Sequence, residues 1–126
     1  MNMPTTPPHR LVWVLDCADP ERLAAFWAPL LGFEALPHSA PYSGLADPED
    51  GSTRMLLQRV PEPKSGKNRM HLDLRVPDMA AEVDRAIGLG ARVLRGPFDD
   101  EGWATTILAD PEGNEFCVIV PPRDDA

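Results

Sequence analysis

His71 and Asp73 stand two residues apart in the run "HLDLRV", with Leu72, Leu74 and Val76 at the alternate positions. In an extended strand, that alternation puts the imidazole and the carboxylate on one face and the apolar residues on the other. An imidazole titrates near neutrality, so His71 can contact a ligand or move a proton; its plainer role is a hydrogen-bonded strand histidine. Cys117, in "EFCVIV", could be a soft metal ligand or a nucleophile. A reactive thiol needs cations or a helix N-terminus beside it, and neither is evident, which favours an inert buried thiol. Cys17 takes the opposite parity in its own strand and reads as core. Trp103 opens a strand after the polar run "DDEG" and suits a pocket wall or lid against a planar ligand. Tyr42 and His38, in "HSAPYSG", are placed at the rim. Lys64, Lys67 and Arg69 form a basic cluster able to dock a carboxylate or phosphate, although their place between two structured halves favours a solvated linker.

The elements that must position these residues follow from periodicity and punctuation. "RLVWVLDC" (Arg10–Cys17) is a strand. In "DPERLAAFWAPLLGF", Asp19 caps a helix, Pro20 occupies its first position and Gly32 stops it. Leu23, Phe26, Trp27, Leu30 and Leu31 form its apolar stripe. Short strands are expected at "FEAL" and around Gly44–Ala46, then a strand at Ser52–Val60. After a polar linker come a strand at Arg69–Val76, an Asp78-capped helix with an inward stripe of Met79, Val83, Ala86 and Ile87 and a stop at Gly90, and strands at "ARVLRGPF", "WATTILAD" and "EFCVIVP".

The order is β-α-β-β-β, twice. Aligning His71 with Val12 superposes "HLDLRVPD" on "VWVLDCAD", each ending on a helix-capping aspartate, and "ADPEDG" and "ADPEGN" precede the last strand of each half. The fold class is therefore α+β: two tandem β-α-β-β-β modules forming a curved mixed sheet around a central cup. A helix covers one face of a sheet, so the uncovered faces must meet something else, and pockets form at such junctions. The expected organisation is a flexible arm at 1–9, one domain at 10–121 and a tail at 122–126. The domain comprises module one (10–60), a linker (61–68) and module two (69–121). The pairing of the modules, within one chain or between two, is left open.

Composition narrows the classes. The chain has 126 residues, a net charge of −8 and 43% hydrophobic residues. An acidic chain lacks the surplus Lys and Arg that nucleic acid or an anionic membrane requires. No apolar run is long enough to span a bilayer, and the proline-rich start lacks the apolar core of a secretory signal. Two cysteines fit a reduced, cytoplasmic protein. No Ser-His-Asp order, P-loop or dinucleotide glycine pattern is present.

Two segments, "DPERLAAFWAPLLGF" and "DPEGNEFCVIV", with the paired modules, resemble the vicinal oxygen chelate superfamily. That superfamily includes glyoxalase I, extradiol dioxygenases and bleomycin-resistance proteins, and the resemblance runs from about Arg10 to Pro121. The stretch "LLQRVPEPKSGKNRMHLDLRV" looks more narrowly like an actinobacterial glyoxalase-like subgroup. The resemblance implies a metal held by the first and last strands of each module. Carried over position by position, it gives Val12, Gln58 (or Leu57 with a shift of one), His71 and Cys117, with Glu115 two residues before the position where the family carries a glutamate. Valine cannot bind a metal and glutamine is a weak donor, so the donor set falls short of three good ligands. The cofactor stays open: the incomplete quartet weighs against a divalent metal, and the donors, if any, are His71, Cys117 and Glu115. The implied function is a small molecule bound in the cup by a glyoxalase-like protein. It could be a lyase or isomerase using His71 and Glu115, with Gln58, Asp73, Trp103 and Cys117 lining the pocket; the glyoxalase I reaction itself is disfavoured. The alternative is a non-catalytic protein that sequesters an antibiotic, for which an acidic rim favours a cationic ligand. The family also implies a homodimer.

Overall fold

Asp19 opens the first helix as its side chain accepts the Arg22 N–H at 3.2 Å, and Gly32 closes it in the left-handed conformation (φ 72°). The computed structural model describes residues 11–37 and 39–122. The expected arm, Arg10, the rim residue His38 and the tail beyond 122 lie outside the described residues. The order is β1 (Val12–Cys17), α1 (Pro20–Leu31), β2 (Glu34–Ala35), β3 (Tyr42–Ala46) and β4 (Arg54–Arg59). Module two follows as β5 (Leu72–Arg75), α2 (Met79–Leu89), β6 (Arg92–Asp100), β7 (Trp103–Ala109) and β8 (Glu115–Val120). The fold is α+β, with the two tandem modules expected.

Each module forms its own four-stranded mixed sheet, in the orders β1-β4-β3-β2 and β5-β8-β7-β6. In both, the strand before the helix runs parallel to the last strand, and the remaining pairs are antiparallel. Leu23, Phe26, Trp27 and Leu30 bury the stripe of α1, and each such side chain contributes about 2 kcal/mol. Pro29 lies inside the helix without ending it, because it falls in the last turn.

Module two grips α1 at both ends. The Glu112 carboxylate accepts the Ala18 and Asp19 N–H groups at 2.7 and 2.9 Å. Arg85 of α2 donates to the Pro29 and Leu30 carbonyls at 2.9 and 2.7 Å. Between these ends, Trp27 donates its indole N–H to buried Asp110 at 3.0 Å and packs edge-on against Phe116, ring centroids 5.0 Å apart. The two modules thus share one hydrophobic core.

Several expectations need correction. Ile87 was assigned to the inward stripe of α2 but is 47% exposed; Leu89 packs on the core instead, because α2 meets it along the narrower line Met79–Val83–Ala86. β5 begins at Leu72, so His71 stands one residue before the strand rather than on it. Ladder pairing starts only where Leu72 meets Phe116. β4 starts at Arg54 because Ser52 and Thr53 are held in the preceding turn by the Asp50 carboxylate. β6 runs on to Asp100, leaving Glu101 and Gly102 as the turn.

Candidate functional site

The uncovered face of module two gathers most of the chemistry-bearing residues. β5 presents Asp73 and Arg75 there, β8 presents Glu115, Cys117 and Ile119, and β7 presents Trp103 and Thr105. Phe116 and Val118 take the other parity and join the core. An open pocket of about 390 Å³ is lined by His71, Asp73, Asp100, Trp103, Thr105, Cys117 and Ile119. The His71 Nδ1 lies 3.2 Å from an Asp73 oxygen. The Arg75 guanidinium sits 5.2 Å from the Trp103 ring centroid, a cation–π contact that fixes the indole as a wall.

Cys117 is buried in the floor. Burial first, then the Asp73 charge and hydrogen bond, push its thiol up to about 11 against the opposing effect of Lys67. Such a thiol stays protonated at neutral pH and is a poor nucleophile. Glu115 is engaged elsewhere: Lys64 of the linker donates to its carboxylate at 3.0 Å, and Asn68 donates to its backbone carbonyl. The partner the structure gives His71 is Asp73 rather than Glu115. Lys64, read as a solvated linker residue, ties the linker to β8 through this contact and braces the linker itself by donating to the Gly66 carbonyl.

A second pocket, about 210 Å³, lies at the junction of the modules. Val12, Trp13, Val14, Met55 and Leu72 line it, with His71 and Glu115 at its polar end. His71 therefore walls both pockets. Gln58 lines neither of them. The strand register explains why. Asp73 pairs with Cys117, and its counterpart Val14 pairs with Leu56. The module-one counterpart of Cys117 is thus Leu56, neither Gln58 nor Leu57; Leu57 is fully buried in the core. The physical reason is the length of the middle strands: β6 and β7 run nine and seven residues where β2 and β3 run two and five, so Cys117 stands further along the chain from Asp73 than Leu56 does from Val14.

Module one therefore offers Val12 and Leu56 where module two offers His71 and Cys117. A metal site drawing on both modules does not fit these residues. Within module two, however, His71, Asp73 and Cys117 each present a ligand atom, and the three atoms lie within 4.8 Å of one another. Arg75, Asp100, Thr105 and Ile119 were not foreseen in the site. Alternation from His71 and Cys117 would have found Arg75 and Ile119. Asp100 gave no such signal, because its run was read as a turn.

Residues 13–119 match the model of the glyoxalase-like domain family. The chain belongs to that family, within the vicinal oxygen chelate superfamily. No curated protein matches this glyoxalase-like domain. Among solved structures it is similar to a glyoxalase/bleomycin resistance protein/dioxygenase family enzyme from Burkholderia phytofirmans PsJN, at 21% identity and a TM-score of 0.73, covering 86% of this chain and 95% of that one. It is also similar to TnmS3, an antibiotic binding protein from Streptomyces sp. CB03234, at 22% identity and a TM-score of 0.71, covering 93% and 98%. A glyoxalase/bleomycin resistance protein/dioxygenase from Nocardioides aligns at 13% identity and a TM-score of 0.74, covering 95% and 87%. At these identities the likeness speaks for the fold.

Proposed function

We propose that this glyoxalase-like domain binds a small planar organic molecule on the uncovered face of module two and holds it without turning it over. The observation that carries this reading is the Trp103 indole, fixed by Arg75, beside an open pocket whose polar groups are mostly committed to one another. A flat ring can stack on the indole, and the carboxylates of Asp73 and Asp100 favour a ligand that is cationic or rich in hydrogen-bond donors. The likeness to TnmS3, an antibiotic binding protein, supports the same reading. Against turnover stand the protonated Cys117 thiol and the Lys64–Glu115 pair, which leave His71 without a second proton-transfer group placed to assist it. A second reading, a lyase or isomerase with His71 as base, is favoured by the Asp73 carboxylate that orients the imidazole.

Thermal unfolding with a panel of planar cationic and planar anionic compounds tests the binding. A cationic binder at a hundred times its Kd stabilises the fold by about 2.7 kcal/mol. The shift is expected to vanish in Trp103→Ala. An equal shift in that variant, or a preference for anions, counts against the reading.

We also infer that the uncovered face of module one is closed by a second copy. Val12 and Val14 are 46% and 53% exposed there, and Tyr42 joins them, which is costly apolar exposure on one sheet face. Light scattering after size exclusion is expected to give twice the chain mass for the wild type and a monomer for Val14→Asp. A monomeric wild type would overturn the dimer. The free, buried thiols and the lack, among the described residues, of a helix long and apolar enough to cross a membrane are consistent with a cytoplasmic setting.

A further inference from the structure

We propose, resting on the binding reading above, that the ligand of this face is a flat zwitterion and that Arg95 of β6 selects its anionic end. The ladder registers set Asp73, Cys117, Ile107 and Arg95 in one row across β5, β8, β7 and β6. Directly paired residues share a sheet face, so all four side chains stand on the uncovered side. The next row, Arg75, Ile119, Thr105 and Phe98, stands on the same side. The pocket of about 390 Å³ occupies the β5, β8 and β7 part of these rows, and Ile107 and Phe98 carry the surface on to β6.

β6 is shaped to bring Arg95 over this surface. Its pairing with β7 slips on either side of that residue, between Val93 and Arg95 and between Arg95 and Phe98. Each slip leaves an extra residue on β6, which bends the strand and re-aims the side chains beside it. Gly96 permits the second slip: its φ is 116°, and a Cβ there would stand 2.7 Å from the Thr105 carbonyl oxygen. The Arg95 guanidinium then lies on the Phe98 ring, 4.2 Å from its centroid. That contact seats an exposed cation on an apolar support and leaves its N–H edge for an acceptor.

The first row therefore carries opposite charges at its two ends. Asp73 presents a carboxylate on β5 and Arg95 a guanidinium on β6, with Cys117 and Ile107 between them. Neighbouring strands lie about 4.8 Å apart, so the two backbones are about 14 Å apart, and the inward reach of the side chains leaves roughly 10 Å between the ligand's own charges. A ligand with its cation at Asp73, its flat body in the pocket beside Trp103 and its anion at Arg95 is matched at both ends. A planar cation without the anion leaves Arg95 to water. A planar anion without the cation meets the carboxylates of Asp73 and Asp100. The guanidinium fork takes a carboxylate through two parallel hydrogen bonds, which makes a carboxylate the fitting anion.

The test uses the full chain and three compounds built on one two-ring aromatic body: a biphenyl amidine, the same amidine with a carboxylate at its far end, and the carboxylate without the amidine. In the second, the charges stand roughly 10 Å apart, as the row requires. Calorimetric titration is expected to show the amidine–carboxylate binding about tenfold tighter than the plain amidine, and the plain carboxylate binding most weakly. Arg95→Gln, at an exposed position, is expected to erase that gain while the plain amidine binds as it does to the wild type. A wild type that binds both amidines equally, or a gain that survives in Arg95→Gln, overturns the role of Arg95 and leaves the binding reading standing. Failure of all three compounds to bind the wild type overturns both.

Discussion

Cys17 and Cys117 are each buried beside carboxylates, and what surrounds a thiol decides what it can do. Cys17 is pushed up to about 11 by burial first and then by Glu112, Asp110, Asp16 and Asp19. Its folded pKa lies above the ordinary 9.0, so the fold prefers the protonated thiol. The stability it contributes is complete below pH 9.0 and is lost as pH rises toward about 11. Serine keeps a donor for the Gln58 carbonyl but does not titrate. Urea unfolding across the alkaline range is therefore expected to show a steeper fall for the wild type than for Cys17→Ser, with a neutral-pH cost of about 1 kcal/mol. Parallel curves would refute the assignment. Single residues were legible where alternation alone decides: Asp73 shares the face of His71, and Cys17 faces the core. Glu115 was not, since the lysine that engages it is 51 residues away in sequence and reaches it only through the fold of the linker.

At the scale of elements, the helix boundaries were readable because caps are local chemistry: Asp19, Gly32, Asp78 and Gly90 all stand where their side chains or backbone freedom require. The strand ends were less so, because they depend on where a partner strand begins. What no local pattern announces is that both ends of α1 are satisfied from module two, by Glu112 at the start and Arg85 at the end. Each removes orphan helix groups from competition with water. Glu112→Ala and Arg85→Ala are each expected to cost about 1–2 kcal/mol in denaturant melts. Across a helix of 12 residues, about 18 Å, the two losses should add. A double variant no weaker than either single one would show that the two ends are coupled, and single variants that melt with the wild type would mean that the contacts are surface decoration.

For the whole molecule, the repeat was the most legible feature, and the register between its copies the least. Element order and caps recur in sequence, but the longer β6 and β7 of module two shift the numbering of its last strand against β4, and only the ladder reveals that Leu56 matches Cys117. The repeat also invites the idea that each module is a folding unit. The packing argues otherwise. α2 buries only Ala86 fully, and much of the cover for Phe116 comes from Phe26 and Trp27 of α1. Asp110 is 2% exposed and accepts from Trp27, Glu112 and Asn114. Without module one, an aromatic ring and part of a buried carboxylate network would face water, while a sheet of four strands would rest on a helix with one small anchor. Residues 69–122 alone are therefore expected to lack a cooperative thermal transition by circular dichroism, and to regain one when mixed with residues 11–60. The gain on mixing is the informative arm, because it separates a missing partner from a fragment that cannot fold at all. A sharp, reversible melt of the isolated second module would show that the halves fold first and dock later.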